Sequence, residues 1–137
     1  QRMSRGLGDV YKRQTTADKS EGFTISVRVR YNEPVDVVTT GGTPTLAVTN
    51  GNEGTGTGRG PHSLSYASGT GTNELIFSLA IAAANAATNA DDVLTVGAQS
   101  IALNSGTIKD ASGTASDASL VISSAQGTAA GSVTVTA

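Results

Sequence analysis

From Phe23 onward, apolar and polar positions alternate. In FTISVRVRY, Phe23, Ile25, Val27, Val29 and Tyr31 share one face, while Thr24, Ser26, Arg28 and Arg30 share the other. That period of two marks a half-buried strand. Asn32, Glu33 and Pro34 follow; the proline lacks an amide donor and restricts the residue before it, so a strand end is expected there. The same alternation returns in PTLAV (Leu46, Val48), SLSYA (Leu64, Tyr66) and ELIFSLAI (Leu75, Phe77, Leu79, Ile81), then in the shorter runs VLTV, SIAL, SLVIS and SVTVT. Between these lie TTGGT, NGNEGTGTGRGP, SGTGTN, NSGT and DASGTASD, all dense in turn-forming residues. Many short strands with regular turn signals predict an all-β antiparallel sandwich. Only AIAAANAATNADD, positions 80 to 92, has helical composition. Its shortness, together with Asn85 and Asn89, predicts at most a turn or two.

Positions 1 to 14 follow neither a strand nor a helix period: Met3, Leu7, Val10 and Tyr11 are sparse, and Gly6 and Gly8 would weaken a helix. The expected organisation is therefore a loose tail over residues 1–21 and one sandwich domain over residues 22–137. The segment MSRGLGDVYKRQ resembles a translated sequencing adapter of the kind found at the ends of reading frames assembled from environmental DNA. That resemblance implies that the protein proper starts near Thr15 and that its true N-terminal part is missing.

Charge separates the two regions further. Arg2, Arg5, Lys12 and Arg13 supply four of the nine Lys and Arg residues, against the single acid Asp9. The remainder has five basic and ten acidic residues, a net charge of −5. An acidic body without clustered cations cannot neutralise a phosphate backbone, which argues against nucleic acid as a partner. No apolar run approaches the ~20 residues that span a bilayer, so membrane insertion is not expected, and an export signal would lie outside this chain. Cysteine is absent, which excludes disulfides and thiolate chemistry.

Candidate chemistry is thin. His62 is the only histidine, and at a loop end it reads as solvated. GTGTGRG lacks the spacing and the following Lys-Ser/Thr of a phosphate loop, and Arg59 within it reads as a solvated cation. Glu33 and Asp36 are accounted for by a strand end. Asp91 and Asp92 are adjacent, and Asp110 and Asp117 flank a turn. Calcium needs six to eight converging oxygen ligands; Asp110 and Asp117 are the candidates, although aspartate is also the ordinary turn residue.

FTISVRVRYNEPVDV, GTPTLAV, LSYASGTGTNELIFSLAI and LNSGTIKDASGTASDASL occur in an order that resembles a bacterial immunoglobulin-like repeat of large surface adhesins and tailed-phage structural proteins. The resemblance runs from about Phe23 to Ile122. Its more specific pieces are Glu33-Pro34-Val35, Gly42-Thr43-Pro44-Thr45-Leu46, and Gly106-Thr107-Ile108-Lys109-Asp110 with Gly113; the loop Asn50 to Pro61 is longer and richer in glycine than that pattern. It implies an immunoglobulin-like antiparallel β-sandwich, here lacking its first strand, whose place is held by the adapter-like residues and whose edge is then open. It further implies a non-catalytic spacer at the cell surface or on a virion, in contact with neighbouring repeats and with a host-surface protein or glycan. Calcium at domain junctions is the only cofactor it suggests. The alternative is a carbohydrate-binding module attached to an extracellular enzyme. Against it, tryptophan is absent, and Phe23, Phe77, Tyr31 and Tyr66 are in register with core positions, which leaves only Tyr11 in the tail.

Overall fold

A computed structural model describes residues 7–11, 16–51, 61–83, 92–111 and 116–136. The strands are β1 (Leu7–Tyr11), β2 (Thr16–Asp18), β3 (Phe23–Val38), β4 (Thr45–Gly51), β5 (His62–Ser68), β6 (Thr72–Ile81), β7 (Val93–Thr95), β8 (Gln99–Ser100), β9 (Thr107–Asp110), β10 (Val121–Ile122) and β11 (Ser132–Thr136), with the short helix α1 (Ser124–Ala130) before the last. Hydrogen-bonded neighbours run β1-β3-β6-β5-β4-β7-β11-β2, β9 adds to β3, and β8 pairs with β10. Thr45–Val48 of β4 pair with β5, and Thr49–Gly51 pair with β7. One strand thus passes between two layers and turns the sheet back over itself. Alternation does the rest. Ile25, Val27 and Val29 of β3, Leu75 and Phe77 of β6, and Leu94, Val133 and Val135 of the other layer all point into one apolar cluster. The fold is all-β and sandwich-like.

The N-terminal expectation is overturned where the chain is described. β1 pairs antiparallel with β3, Leu7 opposite Tyr31 and Val10 opposite Val29, and Val10 is completely buried. β2 pairs parallel with β11, and its Ala17 is buried too. The open edge expected from a missing first strand is not found on β3, which β1 covers, and residues 7–11 and 16–21 are not a loose tail. An edge strand needs a ladder and one inward side chain. LGDVY and TAD supply that without ever displaying a period.

Two further expectations change. Pro34 does not end its strand: β3 continues to Val38, because pairing with β6 shifts register between Arg30 and Val35 and Val35–Val38 take up β9. The proline sits in this irregularity, where its missing N–H costs no ladder bond. Its carbonyl accepts from the Ala111 amide at 3.2 Å. As for the alanine-rich segment, β6 extends to Ile81 and residues 84–91 lie outside the described residues. The described helix is α1, closed by a capping box in which Ser123 Oγ accepts from the Gln126 amide at 3.1 Å and Gln126 Oε1 accepts from the Ser123 amide at 2.8 Å. Gly131 ends it at φ 76°, the left-handed region that favours glycine.

Strand direction fixes where the chain enters and leaves. β2 and β11 are the one parallel pair among the described strands. The chain comes in beside Tyr31 and leaves at Thr136, whose carbonyl accepts from the Lys19 amide at 2.9 Å in the turn that leads into Phe23. These points lie at opposite ends of the run from Phe23 to Tyr31, about 26 Å at ~3.3 Å per residue.

Candidate functional site

Three clusters hold the polar chemistry of the described residues. The first lies on the outward face of β1, β3 and β6, where Arg28 and Arg30 alternate with the core positions of β3 and Glu74 stands opposite Arg30. Arg28 Nη1 donates to Glu74 Oε1 at 2.9 Å, Arg30 Nη2 to Oε2 at 3.3 Å, and the Tyr11 hydroxyl also donates to Oε2. The Arg30 guanidinium lies 5.3 Å from the centre of the Tyr11 ring. The Tyr11 hydroxyl does most to hold the Glu74 carboxyl below its usual range; burial opposes it, and the hydrogen bonds from Arg28 and Arg30 add to the lowering. Hydrogen bonds to Tyr11 and then Glu74 raise Arg30. Water reaches these side chains and screens the pairs, so they orient one another and add little to stability. Tyr11, the one aromatic outside the core register, is thus covered by a guanidinium.

The second cluster corrects the reading of His62. It is buried on β5, opposite Val48 and in phase with Leu64, and not solvated at a loop end. Burial pushes its imidazole pKa down, and the charge of Asp92 partly offsets this. Asp92 is completely buried, and its backbone carbonyl accepts from the Val135 amide at 2.9 Å. The sequence held a signal for this: His62, Leu64 and Tyr66 alternate. Asp91 and Arg59 lie outside the described residues. Tyr31, similarly buried, donates to the Ser119 carbonyl at 2.8 Å, and burial pushes its phenol up.

The third cluster contains the calcium candidates, and the structure does not bring them together. Lys109 and Asp117 form a bridge pair, with Nζ 3.2 Å from Oδ1, and Asp117 is exposed to solvent. Asp110 is the next residue along β9 and is buried, its side chain on the opposite face from Lys109. Two carboxylates on opposite faces of a strand do not converge on one ion. Asp110 instead lines an open pocket of about 260 Å³ with Glu33, Pro34 and Ala111. Asp36 is exposed and opposite Lys109, away from that pocket. Among the described residues no three His, Cys, Asp or Glu side chains group as a metal site requires, and no helix is long and apolar enough to cross a membrane.

Comparison of the chain with protein-family models, curated proteins and solved structures finds no match.

Proposed function

We propose that the chain is a non-catalytic spacer, an immunoglobulin-like module of a cell-surface adhesin or a phage virion protein that helps to present an attachment region elsewhere. The observation that carries this reading is strand direction. With β2 parallel to β11, Thr16 opposite Thr134 and Asp18 opposite Thr136, the N-terminal end of β2 and the C-terminal end of β11 lie at opposite ends of their ladder, so the strands lead away from the domain in opposite directions. Copies joined in sequence then extend a fibre instead of folding back side by side. The charged face fits the role, because Arg28, Arg30, Glu74 and Tyr11 bind one another. On this reading the partners are neighbouring repeats, and the location is outside the cell or on a virion.

The test is small-angle scattering on one, two and three copies of the chain joined end to end, paired with a glycan array. The expected maximum dimension grows by roughly 30–40 Å per copy, a strand run plus its end loops. Compact particles overturn the spacer reading, and saturable glycan binding favours the carbohydrate-binding alternative.

A further inference from the structure

We infer that the edge of β3 from Arg28 to Tyr31 is a docking site for an extended polypeptide segment in which a branched apolar residue is followed by tyrosine, and that β1 is its resident, displaceable occupant. Leu7 stands opposite Tyr31, Asp9 opposite Arg30, Val10 opposite Val29 and Tyr11 opposite Arg28. Ladder bonds run between backbones, so they align any extended chain and read no sequence. Sequence is read by Val10 and Tyr11, neighbours that a strand sends to opposite faces.

Inward, Val10 is completely buried and joins the same apolar cluster as Val29. Outward, Tyr11 enters a clamp. The Arg30 guanidinium lies 5.3 Å from its ring centre, with Nη2 3.3 Å from the hydroxyl oxygen, and that hydroxyl donates to Glu74 Oε2. Arg28 Nη1 holds the other carboxylate oxygen at 2.9 Å, so Glu74 is already oriented towards an incoming phenol. Arg28, Val29, Arg30 and Glu74 all lie outside the adapter-like segment, whereas the occupant lies within it. The site thus accepts a strand whose own sequence shows no period. β1 is also lightly held: its ladder shifts register between Leu7 and Asp9, which confines regular pairing to Asp9, Val10 and Tyr11. With β1 displaced, Arg28–Tyr31 keep their β6-side partners and present backbone N–H and C=O groups on the other side, the template that strand addition requires.

The full-length Val10→Asp variant opens the site without shortening the chain, because an unpaired carboxylate is excluded from the core. The probe is a fluorescein-labelled peptide of residues 5–13, RGLGDVYKR. Its anisotropy is expected to rise saturably with the variant, and the unlabelled peptide should raise the variant's Tm in proportion to the logarithm of its concentration. The parent chain, whose own β1 competes at millimolar effective concentration, should bind the probe at least tenfold more weakly. A Val10→Ser peptide, equal in charge, should also bind at least tenfold more weakly, since valine burial is worth ~1.5–3 kcal/mol. Absence of both saturation and a Tm rise, or equal binding by parent and variant, overturns the site. If the variant is unfolded alone, recovery of its β-sheet circular dichroism on adding peptide is the supporting result, and failure to recover overturns the site. For tyrosine, a Tyr11→Phe peptide should bind about threefold more weakly, and adding Glu74→Gln to the variant should weaken the tyrosine peptide while leaving the phenylalanine peptide unchanged. Equal losses for both peptides refute the tyrosine preference. None of these outcomes bears on the spacer reading, which scattering tests separately.

Discussion

Replacing Gly127 by alanine sets two effects of opposite sign against each other. In an ordinary helix the exchange stabilises by ~0.5–1 kcal/mol, since alanine loses less backbone freedom on folding. Gly127 lies inside α1 but is buried, and a Cβ there would stand 2.5 Å from the Val96 carbonyl oxygen and 3.4 Å from the carbonyl carbons of Val96 and Gly97. A carbon and a carbonyl oxygen first meet comfortably at ~3.3 Å, so the helix would have to retreat by about 0.8 Å. The atoms in the way are backbone, next to a strand held on both sides by β4 and β11, and they cannot swing aside like the tip of a lysine. Overpacking of this kind costs ~1–3 kcal/mol. The clash wins, and Gly127→Ala is expected to destabilise by roughly 0.5–2 kcal/mol, about 2–8 °C in Tm for a domain of this size. Urea unfolding should show a lower midpoint with an unchanged slope. Thr128→Ala, exposed on the same helix, is the control and should be neutral or slightly stabilising. If Gly127→Ala were as stable as the parent or more so, α1 would not pack against Val96 and Gly97 as described.

Two other outcomes are expected. Deleting residues 1–14 removes the buried Val10, whose burial contributes ~1.5–3 kcal/mol, along with the ladder of β1, so Tm should fall by roughly 6–12 °C; an unchanged Tm would mean β1 adds nothing. His62 is held below its ordinary pKa of 6.5 by burial, so the unfolded chain takes up the proton more readily. Its contribution is complete above pH 6.5 and is lost as pH falls through the depressed value. Tm measured from pH 7.5 to 5 should decline, and His62→Gln should flatten that decline; an identical slope in the variant would exclude His62 as its source. Glu74, held below 4.5, loses its contribution only at lower pH, so the two effects occupy separate windows.

The strands that show a period were legible in the sequence. β3, β4, β5 and β6 each carry two or more inward apolar residues at i and i+2, and Ile25, Val27, Val29, Leu46, Val48, Leu64, Leu75 and Phe77 are all buried as the alternation requires. β1 and β2 escaped because a period cannot be read from one point, and the buried side chain described in each stands alone, Val10 in β1 and Ala17 in β2. Their place is decided by partners far along the chain, Val29 and Val135. α1 escaped for another reason. SAQGTAA has no large apolar residue to mark a buried face, although Ser123 and Gln126 spell the capping box that starts it.

Legibility of the polar clusters depends on register in the same way. Nothing near Glu74 in sequence announces that it will meet Arg28 and Arg30; the β3–β6 ladder places it there by setting Arg30 opposite it. Asp110 and Asp117 flank a turn, which made them the calcium candidates, yet the bridge between Lys109 and Asp117 assigns the two acids to opposite faces. Strand direction, on which the proposed function turns, is the least local property of all. Thr136 and Ala17 are 119 residues apart and each lies in an unremarkable run of threonine and small residues, so neither run indicates whether the two will pair parallel or antiparallel. Parallel pairing puts the N-terminal end of β2 and the C-terminal end of β11 at opposite ends of their ladder, whereas antiparallel pairing of the same residues would put them side by side.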